Sequence, residues 1–135
     1  MIYLTLEHVV AIHDAALEEH GGMGGFHTPE LVESAVEMPK SSFGGNDLYP
    51  GLLDKASAYL FFIASNHGFA DGNKRTALAS ALTFLSLNGQ DVEIPAERWA
   101  EAEALTLAIA DGRMKREEAT ARFKGFLESV GATGG

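Results

Sequence analysis

Apolar residues recur every three or four positions along most of this 135-residue chain. That spacing places them on one face of an α-helix, where they can pack against a core. Residues that favour the start or the end of a helix divide the pattern into segments. Start signals lie at Thr5 and Thr28-Pro29, and stop signals lie at the glycines of 21–25 and at Asn88-Gly89. The segments predict about six helices, at roughly 6–20, 29–38, 51–66, 76–87, 96–110 and 115–130.

The third predicted helix, over 51–66, is apolar on most of its faces, which is typical of a buried central helix. Between the helices, residues 40–50 are typical of a loop and 91–95 of a short extended piece, and other strand patterns are nearly absent. The fold class is therefore predicted to be all-α, a compact bundle in a single domain over residues 1–130. Residues 131–135 are predicted to be a flexible tail with nothing to bury.

The composition argues against several classes of protein. The chain has no Cys, so disulfide scaffolds and Cys-ligated metal sites are excluded. Its net charge of −9 disfavours binding along a nucleic acid backbone but leaves room for one local phosphate site. The N-terminus lacks the basic region of a secretory signal, and the longest uncharged apolar run, 56–64, is far shorter than the roughly 20 residues that span a bilayer. We therefore expect a soluble cytoplasmic protein without direct nucleic acid or membrane partners.

The segment with the most chemistry lies between the third and fourth predicted helices, over 67–78, with the sequence HGFADGNKRTAL. Gly72 lets the backbone approach a ligand closely, and the first N–H groups of the helix that starts there form a ready anion site. Lys74 and Arg75 lie in the first turn, where cations oppose the helix dipole and together cost up to about 1 kcal/mol. An anionic ligand such as phosphate would offset that cost.

Two further side chains in the same segment suit reactions of phosphates. The imidazole of His67 can accept a proton from an attacking hydroxyl. The carboxylate of Asp71 can hold Mg²⁺, which prefers one or two protein carboxylates beside phosphate oxygens and water. Together these residues predict transfer of a phosphorus-containing group from a nucleotide.

The order His-x-Phe-x-Asp-Gly-Asn-Lys-Arg over 67–75 resembles the signature of the Fic/Doc superfamily. Lys74 and the Thr-Ala pair after the motif are similar to the death-on-curing (Doc) toxin branch, because the Fic branch carries Gly in place of Lys74 and a second Arg in place of Leu78. The likeness extends over about residues 3–90. It departs from the family at Gly68, where relatives commonly have Pro, and this predicts a looser loop with every reacting group kept.

The resemblance implies a function and partners. Doc-type proteins are toxins of toxin–antitoxin pairs, and they act as kinases that move the γ-phosphoryl group of ATP to a threonine of elongation factor Tu, which halts translation. A cognate antitoxin would bind through a segment that folds on contact with a groove. The loop over 40–50 occupies about the place where relatives present the target segment.

The resemblance also implies a role for each motif residue. His67 is implied to be the general base, Asp71 to hold Mg²⁺, and Phe69 to pack inward and anchor the loop. The phosphates of ATP would be bound by the four residues that follow Asp71, which are Gly72, Asn73, Lys74 and Arg75.

Several of these residues also have a purely structural interpretation. Asp71 could cap the following helix, Asn73 could shape the turn, and Arg75 could pair with a distant carboxylate. For the whole protein, the alternatives are a Fic-type AMP transferase that acts on a protein hydroxyl and a catalytically inactive helical domain that binds a partner.

Other patterns in the sequence predict structure rather than chemistry. The glycines at 21–25 are interpreted as a turn, because they lack the spacing and the preceding strand of a dinucleotide site. The acidic residues between 97 and 103 predict a solvated helix face, with Trp99 packed inward. The four histidines outside the motif lack metal-site spacing and are predicted to be structural or surface residues: His8, His13, His20 and His27.

Overall fold

A computed structural model describes residues 1–134 and shows six α-helices with α3 at the centre. The helices are α1 Leu6–His20, α2 Pro29–Glu37, α3 Leu52–Asn66, α4 Asn73–Leu87, α5 Trp99–Ala110 and α6 Arg116–Ser129. Short 3₁₀ helices lie at Met38–Lys40 and Ala96–Arg98, and a hairpin joins β1, Ser42–Phe43, to β2, Asn46–Asp47. None of the helices within this described part of the chain is long and apolar enough to cross a membrane. The predicted all-α class and the bundle of about six helices are confirmed.

The core is built around α3, which packs against α2, α4, α5 and α6. Its middle residues Ala56, Tyr59 and Leu60 are completely buried, as the apolar pattern on most of its faces predicts. The hydroxyl of Tyr59 accepts a hydrogen bond from the backbone N–H of Leu4 at 2.9 Å, which fixes the start of the chain to the central helix. Because α3 leads directly into the motif, the motif is supported by the best-buried part of the fold.

The first helix begins where its sequence predicts, and an unusual residue takes part in its N-terminal cap. Thr5 Oγ1 accepts a hydrogen bond from the backbone N–H of His8 at 3.2 Å, and His8 Nδ1 accepts one from the N–H of Thr5 at 3.0 Å. A histidine thus takes the place that Glu or Gln usually has in this reciprocal cap. His8 therefore has a structural role at the end of α1.

The loop over 40–50 differs from its prediction because it contains the hairpin of β1 and β2. Gly44 and Gly45 both have positive φ, which permits a two-residue turn between the strands. The hairpin is fixed to α3 by the buried side chain of Lys55, which donates to Asp47 Oδ2 at 3.1 Å and to the backbone carbonyl of Tyr49. The segment is therefore held against the core from its second strand onward.

Replacing Asp47 with Ala is expected to lower the free energy of unfolding by about 1–2 kcal/mol, because the buried ammonium of Lys55 would lose its carboxylate partner. About half of the Asp47 side chain is in contact with water, which keeps the loss below that of a fully buried pair. Urea denaturation measures the change. Glu37→Ala is the control, since the exposed Glu37–Lys40 pair should contribute less than about 1 kcal/mol. Equal losses in the two variants would show that Lys55 does not depend on Asp47.

One prediction about the chain after α4 is wrong. Trp99 is not packed inward but is 39% exposed, because it is the first residue of α5 and the buried stripe of that helix begins one turn later, at Ala102. Residues 91–95, predicted to be a short extended piece, have no regular secondary structure, and the chain passes from them into the 3₁₀ helix that precedes α5.

The last residues also differ from the expectation that they have nothing to bury. Ala132 is 5% exposed, and the backbone carbonyl of Gly134 accepts a hydrogen bond from the N–H of Leu52 at 3.1 Å. Thr133 forms hydrogen bonds with the side chain of Gln90. The described part of the predicted tail, 131–134, therefore packs beside the start of α3, and Gly135 lies outside the described residues.

Candidate active site

The segment between α3 and α4 turns on two residues in the left-handed region of backbone conformation. His67 ends α3 with φ 51°, and Gly72 precedes α4 with φ 77°. Within residues 1–134, His67 is the single non-glycine residue with positive φ. Helices that end in this conformation usually do so with Gly or Asn, and a side chain such as that of His67 adds strain of about 1–2 kcal/mol. Strain of this kind is concentrated at functional sites, where the side chain is needed for another purpose.

The imidazole of His67 is oriented by the end of α5. Its Nε2 lies 2.9 Å from the backbone carbonyl oxygen of Ala110. A carbonyl oxygen only accepts hydrogen bonds, so Nε2 carries the proton and Nδ1 is the unprotonated nitrogen of the neutral ring. Because His67 is exposed, Nδ1 can receive a proton from a hydroxyl that docks at the surface.

Phe69 and Asn73 fix the inner side of the loop. The side-chain amide of Asn73 accepts a hydrogen bond from the N–H of Phe69 and donates one to the carbonyl of Phe69, both at 3.0 Å. The ring of Phe69 is buried, 3% exposed, which is the inward packing that the family resemblance implies. The Asn73 amide thus shapes the turn, and phosphate binding by Asn73 stays a prediction that rests on its backbone N–H.

A glycine-rich segment, residues 21–28, runs beside the loop and forms one wall of the site. The backbone N–H of Ala70 donates to the carbonyl of Gly25 at 3.0 Å. Phe26 and Phe69 pair as an antiparallel bridge, and their stacked rings are 5.4 Å apart. The sequence predicts only a turn at these glycines, so their contact with the distant motif is a finding of the structure.

Gly68 is the point at which the loop comes closest to its neighbours. Its carbonyl oxygen accepts hydrogen bonds from the N–H groups of both His27 and Thr28 at 2.9 Å. A Cβ atom placed on Gly68 would collide with Cγ2 of Val32 and would lie 2.8 Å from the backbone N of Val32. The missing side chain therefore lets α2 pack tightly against the loop, which is the opposite of the loosening that the sequence predicts at this position.

The carboxylate of Asp71 is exposed and is held by two backbone N–H groups. Oδ1 accepts a hydrogen bond from Gly72 at 2.9 Å, and Oδ2 accepts one from Met23, in the glycine-rich segment, at 3.3 Å. These bonds, with that from Gly72 first, lower the pKa of Asp71 below its ordinary value of 3.8, and the positive charges of Arg75 and Lys74 lower it further. Asp71 is therefore ionised at neutral pH, as a cation ligand has to be. The N-cap position itself is occupied by Gly72.

The lowered pKa of Asp71 predicts how the loop responds to acid. A carboxyl group whose pKa falls on folding contributes stability above its unfolded pKa, and that contribution is lost as the pH falls through the folded pKa. We expect the hydrogen bonds from Gly72 and Met23 to persist at pH 3.8 and to weaken only below it. The ¹H–¹⁵N chemical shifts of these two amides, followed in an acid titration, report the transition. Asp71→Asn is the control without a titrating group, and a midpoint at or above pH 3.8 in the parent protein would contradict the prediction.

Lys74 and Arg75 are exposed on the first turn of α4. The first hydrogen bond of the helix runs from the N–H of Thr76 to the carbonyl of Gly72 at 3.0 Å, so the three amides before Thr76 belong to the unpaired first turn. In the described part of the chain neither cation forms an ion pair, and the distant carboxylate considered for Arg75 is not found. The charges of both side chains lower the pKa of Asp71, so they lie near its carboxylate. Two cations, a carboxylate and unpaired amides are therefore grouped at the N-terminus of a helix, where anions bind.

His13 is the site residue that the sequence analysis misses. It is buried on α1, and its Nε2 lies 2.7 Å from the backbone carbonyl oxygen of Asp71. Its ring stacks on that of Phe69 with the centroids 3.8 Å apart. The sequence does place His13 one turn after Val9, on the face of α1 that is buried. That spacing predicts a buried side chain, but it does not predict the hydrogen bond to the carbonyl of Asp71.

Across the residues that the structure describes, the histidines outside the motif do not form a metal site, and the large groove of the molecule does not contain the motif. His20 and His27 are exposed, and no three His, Asp or Glu side chains within residues 1–134 are grouped as a metal site would require. A groove of about 660 Å³ between α5 and α6 is lined by none of the motif residues at 67–75. The candidate active site is instead an open surface at the start of α4, which suits transfer to a group on another protein.

Comparisons of the sequence with known proteins show the family to which the chain belongs. The model of the Fic/DOC family matches residues 3–85. A protein called Toxin Doc from Mycolicibacterium smegmatis is 41% identical over 101 residues, which cover 74% of this chain and 76% of that protein. A protein called Protein kinase doc from Escherichia phage P1 is 35% identical over 92 residues, which cover 68% of this chain and 72% of that protein. Because the family match spans the motif and the helices on both sides of it, and because both of these relatives carry the name Doc, the chain belongs to the death-on-curing (Doc) branch of the Fic/Doc family.

Proposed function

We propose that this protein is the toxin of a toxin–antitoxin pair and that it transfers the γ-phosphoryl group of ATP to a hydroxyl group of a protein. The observation that carries the proposal is one short loop on which an imidazole held through one of its nitrogens, an ionised carboxylate and two cations without an ion pair in the described residues lie together. The relatives called Toxin Doc and Protein kinase doc support it. A threonine of elongation factor Tu is the proposed acceptor, arrest of translation in the cytoplasm the proposed result, and a cognate antitoxin the proposed partner.

His67 acts in this proposal as the general base. Ala110 holds its Nε2–H, so Nδ1 takes the proton from the acceptor hydroxyl as that oxygen attacks the γ-phosphorus. A bond forms between the hydroxyl oxygen and phosphorus, the bond from phosphorus to the β–γ bridging oxygen breaks, and ADP leaves. The ring is already held by the backbone turn at His67 and by Ala110, so little reorganisation is needed before the reaction.

The start of α4 binds the phosphates. The N–H groups of Asn73, Lys74 and Arg75 precede the first hydrogen bond of the helix and can donate to phosphate oxygens. The two side-chain cations can neutralise the charge that spreads over the transferring group. A bound phosphate would also remove the unfavourable interaction of these cations with the helix dipole.

The residues present fit a magnesium ion beside those phosphates. Asp71 is ionised, and among the described residues each of its oxygens accepts one backbone N–H, so further lone pairs remain for a cation. Mg²⁺ is commonly held by one or two carboxylates, with phosphate oxygens and water as the other ligands. When bound, the ion would supply neutralisation of charge on the phosphate oxygens.

Transfer of AMP is the second candidate, and the structure gives it less support. The Fic branch has a second Arg where this chain has Leu78, and Leu78 is 6% exposed within the core. A buried leucine cannot contact a phosphate, so this position adds no charge to the site. Lys74 likewise replaces the glycine of the Fic branch.

ATP labelled at either the α- or the γ-phosphorus separates these candidates. The purified protein is incubated with Mg²⁺, labelled ATP and a bacterial lysate, beside a His67→Ala variant. We expect label from the γ position on one lysate protein of the size of elongation factor Tu, no label from the α position, and no label with the variant. Label from the α position would establish AMP transfer. No label from either position, together with retained binding of an antitoxin, would leave the inactive partner-binding domain.

A further inference from the structure

We propose that His13 is a positioning residue for the phosphate-binding turn: it fixes the peptide plane between Asp71 and Gly72 and thereby aims the Asp71 carboxylate. The expected kinetic effect rests on the proposed function. The expected structural effect does not, because it can be measured on the protein alone.

A hydrogen bond and a stacked ring hold His13 against the loop, while its Nδ1 lies 3.6 Å from the exposed carboxylate of Asp14 on its own helix. The side chain of His13 is buried, and Nε2 lies 2.7 Å from the carbonyl oxygen of Asp71 across 58 positions of sequence. The oxygen can only accept, so Nε2 donates. The ring is stacked on Phe69 at a centroid distance of 3.8 Å and an interplanar angle of 8°, which fixes the direction of that N–H.

The hydrogen bond from His13 also fixes the orientation of a group at the surface of the site, the carboxylate of Asp71. The peptide bond after Asp71 is trans, so its carbonyl and the N–H of Gly72 point in opposite directions. His13 holds the carbonyl towards α1, and the Gly72 N–H therefore points away from α1, where it donates to Asp71 Oδ1 at 2.9 Å. A buried imidazole on α1 thus determines the orientation of an exposed carboxylate on the loop.

A residue needed only for packing at this position would be apolar. Burying a polar ring costs free energy unless it is hydrogen-bonded, whereas Leu or Phe would fill the same face of α1 without that requirement. The bond that His13 makes is to the carbonyl that sets the carboxylate, and the contact with Phe69 reaches the anchor of the same loop. The hydrogen bond and the stacking contact of His13 therefore both act on the candidate active site.

Two variants separate the hydrogen bond from the packing. His13→Phe keeps an aromatic ring on Phe69 but has no donor, whereas His13→Gln keeps an N–H at about the position of Nε2 but has no ring. His20→Phe, the same change at the exposed end of α1, is the control. The measurements are hydrogen exchange of the Gly72 amide, kcat and KM for γ-labelled ATP, and the midpoint of thermal unfolding.

If His13 positions the turn, His13→Phe exchanges the Gly72 amide about tenfold faster and lowers kcat by about 10–100-fold, while His13→Gln and His20→Phe stay within a few-fold of the parent protein. The reverse order, with His13→Phe unaffected and His13→Gln impaired, would show a role in packing alone and overturn the proposal. Should His13→Phe not fold, His13→Gln decides: parent-like exchange supports the proposal, and about tenfold faster exchange in a folded variant overturns it. If the parent protein transfers no label, the proposed function fails, and the exchange measurement still tests His13.

Discussion

Replacing His67 with Asn is expected to lower the rate of phosphoryl transfer by about 10²–10⁴-fold, because the nitrogen proposed to take the proton from the acceptor is removed. Asn tolerates the left-handed conformation in which α3 ends, so the helices and the turn should survive. His67→Ala should lose the same activity and should be about 1 kcal/mol less stable than His67→Asn, since alanine adopts this conformation at a greater cost than asparagine does. Single-turnover transfer from γ-labelled ATP, beside circular dichroism, measures both effects.

The control for this prediction is His20→Asn, which makes the same change at an exposed position of α1. It should leave the transfer rate within about twofold of that of the parent protein, since a surface substitution away from the site has little effect. A His67→Asn variant that transfers phosphate at the parent rate would show that another group is the base. A variant that loses its helical signal would show that His67 is needed for the turn rather than for the reaction.

The grouping of the candidate site residues could be predicted because these residues are nearly contiguous in sequence. His67, Asp71, Lys74 and Arg75 are separated only by the loop and first turn that join two strongly patterned helices, so helix signals alone bring them together. The inward packing of Phe69 is implied by the family resemblance rather than by the pattern of the loop. Local patterns thus fix which side chains lie together at the start of α4.

The parts that hold the loop could not be predicted in the same way. The partners of the motif are the carbonyl of Ala110, the imidazole of His13 and the backbone of the glycine-rich segment 21–28, which come from three distant parts of the chain. A hydrophobic pattern shows that a face is buried, but it does not show which polar atom on that face meets which carbonyl. The strain at His67 is also invisible in a pattern, because the same helix could end with Gly or Asn.

Replacing Phe69 with Ala is expected to lower the free energy of unfolding by about 3–5 kcal/mol, the second large effect in this molecule. The ring is 3% exposed and lies between the rings of His13 and Phe26, so its removal leaves a cavity bounded by two stacked partners. The loss should be visible as a lower midpoint of urea denaturation with an unchanged dependence on urea concentration.

Phe43→Ala is the matched control for this prediction, because Phe43 is the same residue type at 81% exposure on β1 and should change stability by no more than about 0.5 kcal/mol. Phe69→Leu should lie between the two, since it keeps part of the apolar volume. Equal losses for Phe69→Ala and Phe43→Ala would mean that the loop is not anchored through this ring. A large loss confined to Phe69→Ala would mean that the turn between α3 and α4 and the fold are stabilised by the same contact, so that the turn cannot loosen while the bundle stays intact.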